Sequence, residues 1–470
     1  MSKRAKGELT EGSLLKPTLR LAWPLVVVQL LQVAYNLADT LWLGAYSPDA
    51  VGALSLAFPV VFLLISIGGG FTAAGSILVA QYTGADRDRD AGVVAGQTLW
   101  FVTLLAVVIA VLGHFLAGPA LSLLPADPAT KARVIPLAIE YMRTYFIGVP
   151  FIFGFFIFTS LLRGYGDTRT PMYVMLLTVF LNVVLDPLLI FGWGGFPELG
   201  VEGAALATVV SRVVAATVGL AVLFGTTRGP TVGLADLTPD VPVVRNIVRI
   251  GTPSAIEQSA SSLAMVVLTA MVASFPPAVV AAYGVGNRLS SLVFLPALGL
   301  GQATNTVVGQ NLGAKKPERA EQAVKITGGI VTATMLAVGV VAALFPHVIV
   351  APFVTADVAG AAATLGHAAD YLRVMSVMFV FTGLLQVVLG AFRGAGDTRT
   401  SMLLSLLSLW VVRVPATYVL AFALDWGANG LWWAVAVGDI LGCLVAALWF
   451  TRGTWKNGVV SDRSQPDAAD

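Results

Sequence analysis

The chain has 470 residues, of which 57% are hydrophobic and 11% charged, and its mean hydropathy is +0.84. A soluble chain of this length does not carry so little charge, so the composition places it in lipid. The formal net charge is only +2 and the basic residues sit in short loops, without the aromatic-studded basic patch that a nucleic-acid partner would require.

The N-terminal segment, residues 1–16, is polar and lacks a short apolar core followed by a small-residue cleavage site, so the first apolar stretch is expected to stay in the membrane. A bilayer core of about 30 Å takes about 20 apolar residues at about 1.5 Å each, and only helices satisfy this backbone there. Runs of that kind predict an all-α integral membrane protein with twelve transmembrane helices, at 17–43, 51–80, 91–116, 136–162, 170–192, 200–224, 247–274, 280–310, 322–350, 367–392, 400–424 and 428–451. Lysine and arginine are distributed unevenly over the intervening segments. Of 28 in all, 21 fall in the N-terminal segment, in alternate loops or in the tail 452–470, whereas the opposite loops hold Lys131 and Arg133. The positive-inside rule then puts both termini in the cytoplasm and the chain, multi-pass, in the cell membrane.

An internal repeat organises the spans. LLRGYGDTRTPM at 161–172 returns as AFRGAGDTRTSM at 391–402, and VAQYTGA at 79–85 returns as VGQNLGA at 308–314. Each half holds six spans, so the halves share an orientation and are related by a pseudo-two-fold axis along the membrane normal. The division expected is an N-lobe at 17–224, a cytoplasmic linker at 225–246 and a C-lobe at 247–451. Two similar bundles around a central site suit transport by alternating access. The GDTRT loops lack the Lys-Ser/Thr of a phosphate-binding loop and a preceding strand, and read as hinges whose Asp167 and Asp397 cap the next helix. The Gly68-Gly69-Gly70 run reads as close helix packing.

Charge buried in a membrane costs about 2.5 to 3.5 kcal/mol per group and marks function. Counting rise along each helix, Asp39 lies about 28 Å from the cytoplasmic end of span one, and Asp186 and Thr208 about 24 Å from theirs. Asn182 stands one turn from Asp186, and Gln32 and Tyr35 lie below Asp39. Pro187 cannot donate to the carbonyl of Val183, which leaves a free acceptor beside Asp186. Such a cluster suits a proton or a hard cation. The alternative is structural, with Asp39 at an interface and Asp186 paired with Arg212. In the second half, Val412 and Ala416 stand where Asn182 and Asp186 stand in the first. Arg413 and Asp439 share a depth of about 20 Å and are expected to form a structural salt bridge. Glu257, one turn after Pro253, is the candidate for a site in the C-lobe. The lone Cys443 and the scattered His114, His347 and His367 suggest neither a disulfide nor a metal centre. No nucleophile stands near a base, so an enzyme is not expected.

From Pro24 to about Arg452 the chain resembles the multidrug and toxic compound extrusion (MATE) family, on its twelve spans in two halves, the paired RG-x-GDTRT loops, QYTGA and QNLGA, and LNVVLDP in span five. That last motif resembles the archaeal and DNA-damage-inducible F-type branch. The resemblance implies a cation or proton site at Asp39, Asn182, Asp186 and Thr208 and a substrate cavity lined by Gln32, Tyr35, Met175 and Asn182. It also implies antiport of organic cations or amphipathic compounds against H+ or Na+, with no cofactor, by a monomer. The alternatives are a flippase of lipid-linked sugars, which would want a cationic cavity for pyrophosphate, and a channel.

Overall fold

The computed structural model describes residues 9–123, 127–354 and 360–460, and among them twelve helices are long and apolar enough to cross a bilayer. They are α1 (Leu15–Tyr46), α2 (Pro48–Gly84), α3 (Asp88–Ser122), α4 (Pro128–Tyr165), α5 (Arg169–Ile190), α6 (Gly200–Gly225), α7 (Val241–Val272), α8 (Pro277–Gly313), α9 (Pro317–Leu344), α10 (Ala361–Gly394), α11 (Thr398–Ala423) and α12 (Gly427–Thr451). Large apolar side chains on their outer faces, such as Leu41, Phe115, Leu344 and Leu448, are exposed, as lipid-facing residues must be.

Each predicted span coincides with one helix, and two ends differ for identifiable reasons. Helix α4 starts at Pro128, earlier than the hydropathy suggests, because the Asp127 carboxylate accepts the N–H groups of Ala129 and Thr130 at 2.9 and 3.1 Å. Helix α9 stops at Leu344 rather than running to 350, since Pro346 has no N–H to continue it and opens a separate short helix, Pro346–Val350. Both GDTRT loops form the expected caps. The Asp167 carboxylate accepts from the N–H groups of Arg169 and Thr170 at 3.0 and 3.1 Å, and Asp397 accepts from Thr400 N–H at 3.2 Å.

The described residues fall into two compact units, one within Val27–Val79 and Arg87–Ser262, the other within Leu9–Val26, Ala80–Asp86 and Leu263–Val460. This differs from the division at 225–246: residues 241–262 of α7 go with the first unit and residues 15–26 of α1 with the second. Packing explains the exchange. Gly69 and Gly70 of α2 lie against Gln258 and the backbone of Ala255, and the hydroxyls of Ser66 and Ser259 are 3.0 Å apart. Gly299 of α8 lies against Val26. Hydropathy along the chain carries no information on which bundle a helix joins.

In the first unit α4 packs on α3 and α6, and α5 packs on α6. The linker folds back on this unit: Asp236, in the short helix Leu234–Leu237, is buried and takes both Arg89 guanidinium nitrogens at 2.6 Å. Gln97 donates to the carbonyls of Asp236 and Thr238 at 2.7 and 2.6 Å.

In the second unit α10 packs on α8, α9 and α12. The repeat is visible in matched contacts, with Gly164 of α4 against the Ser76 carbonyl in the first unit and Gly394 of α10 against that of Asn305 in the second. Gly84 lies on the Gln310 carbonyl while Gly313 lies on that of Gln81. Gln81 also anchors the tail, accepting the N–H groups of Val459 and Val460 at 2.8 and 3.2 Å and donating to Gly394 O at 2.9 Å. Trp455 is fully buried, stacked on Phe450 at 4.8 Å, and Lys456 pairs with Glu321 at 2.6 Å.

Helix α11 is irregular. It widens into π-helical turns at Leu407–Arg413 and Val419–Ala423 on either side of Pro415, and the hydroxyl of Thr417 donates to the Arg413 carbonyl at 2.8 Å.

Candidate functional site

Helices α1, α5 and α6 of the first unit each carry one polar stripe, and these stripes meet. Asp39, Asn182, Asp186 and Thr208 are all buried, in a chain segment where the surrounding faces are apolar. Asn182 and Asp186 stand one turn apart on α5, with the Asn182 amide donating to Asp186 Oδ1 at 3.2 Å. From α1, the Asp39 carboxyl reaches the same point and is a neighbour of both Asp186 and Asn182. One turn below Asp39, the Tyr35 hydroxyl donates to Thr208 Oγ1 of α6 at 2.8 Å. The four residues expected to form a cation site are therefore brought together.

Two carboxyls side by side in a buried setting repel unless they share a proton or a cation. Three acceptor oxygens, Asp39 Oδ1, Asn182 Oδ1 and Asp186 Oδ2, are buried without a hydrogen-bond partner. Oxygens that can only accept, converging from two helices, are the ligand chemistry of a hard cation or a bound proton.

Arg212, one turn from Thr208 on α6, is buried but forms no ion pair with Asp186 among the described residues. Its guanidinium lies 5.0 Å from the ring centres of both Tyr35 and Phe155, and donates to Gln32 Oε1 at 3.3 Å and to Met175 Sδ at 3.9 Å. Three of the four residues expected to line a substrate cavity, Gln32, Tyr35 and Met175, thus gather around Arg212, and the fourth, Asn182, stands with the acids. Sequence reasoning singled out Arg212 only as a partner for Asp186. Its role in holding Gln32, Tyr35 and Met175 depends on contacts between helices far apart in the chain, for which no local signal exists.

Two expectations for the second half are corrected. Arg413 and Asp439 do not form a salt bridge: Asp439 Oδ2 accepts from the Thr382 hydroxyl at 2.6 Å, and Arg413 Nε is buried without a partner. Equal depth put the two side by side, but depth was counted on an ideal helix. Helix α11 is π-helical up to Arg413, whose stem packs on Gly438 while Asp439 turns to Thr382. Glu257, expected to belong to a C-lobe site, is buried in the first unit, the unit that holds Asp39. Its neighbour Gln258 packs on α2.

Comparison with known proteins agrees with this architecture. The MatE family profile matches residues 24–188 and 253–419, more than half of the chain and one segment in each repeat. A Bacillus subtilis protein, the probable multidrug resistance protein YoeA, is 32% identical over 425 residues, covering 87% of each chain. The probable multidrug resistance protein NorM of Thermotoga maritima is 28% identical, covering 96% of this chain and 95% of its own. Among solved structures, a MATE protein in complex with MaL6 superposes with a TM-score of 0.89 at 28% identity, covering 97% of this chain and 99% of its own.

Proposed function

We propose that this chain, which belongs to the MatE family, is a secondary active multidrug exporter that antiports organic cations or other amphipathic compounds against H+ or Na+ by alternating access. The observation that carries the coupling mechanism is the buried pair Asp39 and Asp186, with three acceptor oxygens left unmatched around it. A proton or cation bound there relieves the repulsion between the carboxyls, and an ion drives transport only through an affinity that differs between two conformations. Asn182 orients Asp186, and Tyr35 and Thr208 close the site from below. Gln32, Tyr35 and Met175, held by Arg212, line the path of the substrate. The protein works as a monomer with both termini in the cytoplasm, in keeping with the excess of lysine and arginine in alternate loops.

Placement in the archaeal and DNA-damage-inducible branch is not supported by the relatives cited, which are bacterial proteins of the YoeA and NorM kind. A motif as short as LNVVLDP carries an Asp-Pro step and apolar filler, too little to separate branches, and the site is proposed here from its geometry. The flippase reading is less favoured, because one caged arginine beside two carboxyls does not make the cationic cavity that pyrophosphate needs.

The test is reconstitution into vesicles and measurement of cationic dye efflux under proton and sodium gradients imposed separately. Efflux driven by one or both is expected. Dye movement that responds to neither, or a conductance without coupling, would overturn the proposal.

A further inference from the structure

Helices α10 and α12 frame a cavity of about 570 Å³ lined by Asp370, Arg373, Val374, Trp426, Asn429 and Trp433, remote in sequence from every residue of the site above. Its depth can be read from the helices themselves. Arg373 stands twenty residues before Arg393, the basic residue of the GDTRT loop on the same helix, and Trp433 stands nineteen before Arg452 on α12. At about 1.5 Å per residue both separations come to about 30 Å, the thickness of the hydrocarbon core. With the arginines of the GDTRT side at one boundary, the cavity opens at headgroup level in the opposite leaflet.

The lining matches one kind of headgroup. It carries one acid and one base, so a singly anionic lipid would answer the base and leave the acid without a cation, whereas a zwitterion meets both. Asp370 and Arg373 face each other at 3.2 Å, but both are half exposed, and such a pair is weak enough to open at little cost. Trp426 and Trp433 are 52% and 40% exposed, well placed to cover an ammonium with their rings or to donate indole N–H to ester oxygens. Asp370 and the Asn429 side-chain oxygen are acceptors, and they require N–H donors that a primary ammonium has and a quaternary one lacks.

We propose that this cavity binds the headgroup of a zwitterionic aminophospholipid, phosphatidylethanolamine, with Arg373 on the phosphate and Asp370 and Asn429 on the ammonium. The proposal rests on the membrane placement of the helices and not on the transport mechanism, so either can fail without the other.

Native mass spectrometry of the full chain, released from detergent with phosphatidylethanolamine, phosphatidylcholine or phosphatidylglycerol of identical acyl chains, tests it. Phosphatidylethanolamine should be retained preferentially, with about tenfold loss in Arg373→Ala and Asp370→Asn and a smaller loss in Arg373→Lys, which keeps the charge and guards against a folding defect. Equal retention of the three lipids would make the tryptophans an unselective interfacial belt. Preference for phosphatidylglycerol, or retention of phosphatidylethanolamine unchanged in the folded variants, would equally overturn the assignment.

Discussion

Replacing Asp39 and Asp186 by Asn removes the element on which coupling is argued to depend while disturbing little else. Two unit charges about 4 Å apart repel by roughly 4 kcal/mol at an effective dielectric constant near 20. A bound cation or proton that cancels this repulsion gains about three orders of magnitude in affinity, at roughly 1.4 kcal/mol for each tenfold. An amide in place of either carboxylate forfeits that gain, so each single variant should show gradient-driven efflux reduced by about a hundredfold or more. Stability should move the other way. The substitution keeps volume and polarity and removes like-charge repulsion, so the thermal midpoint in detergent should be unchanged or higher. The assay pairs dye efflux from proteoliposomes with thermal unfolding of the same preparations. Full gradient-driven efflux by the Asp39→Asn, Asp186→Asn double variant would refute the reasoning, and so would a loss of efflux matched by loss of folded protein.

Other consequences of the structure can be measured independently. The Arg89 guanidinium beside Asp236 holds that carboxyl below the usual carboxylate range, so its contribution to stability is present above about pH 4 and is lost as pH falls through the folded value. Asp236→Asn should flatten this acid limb of the stability–pH curve, and an unchanged slope would count against the pairing. Because Arg413 and Asp439 are not bonded, a double-mutant cycle with Arg413→Met and Asp439→Asn should give a coupling below about 0.5 kcal/mol, while Thr382→Val, which strips Asp439 of its donor, should cost about 1 to 3 kcal/mol. Gln81→Ala should release the end of the tail, seen as faster amide exchange at Val459 and Val460, while Trp455 stays packed on Phe450. Cysteines introduced near Asp49, Glu198 and Asp425 in a Cys443→Ser background should react with impermeant reagents from outside, and those near Arg89, Lys315 and Arg399 should not. The reverse pattern would invert the proposed orientation.

Much of this architecture is legible in the sequence because the bilayer imposes a minimum length on every helix and a single depth scale on every polar residue. Counting from the ends of spans one, five and six placed Asp39, Asp186 and Thr208 at one level, and the structure brings them into one cluster. The same count put Arg413 level with Asp439, and its stem does pack on Gly438, but depth along an axis says nothing of direction around it, so the pairing did not follow. Bundle membership was hidden as well. That α7 packs on α2 depends on Gly69 and Gly70 meeting Gln258 and Ala255, a match of surfaces some 185 residues apart. Arg212 was visible as a buried charge, but its partners Gln32 and Met175 were not.

Gly84 and Gly313, the last residues of α2 and α8, are each seated on the other repeat's glutamine carbonyl, so the two Gln-x-x-Gly-Ala turns make one reciprocal joint. A side chain at Gly84 would be felt at Gln310, and one at Gly313 at Gln81, so neither turn can drift alone. Asn182 and Asp186 of α5 are under no such constraint, and Val412 and Ala416 stand at the matching positions of the second repeat.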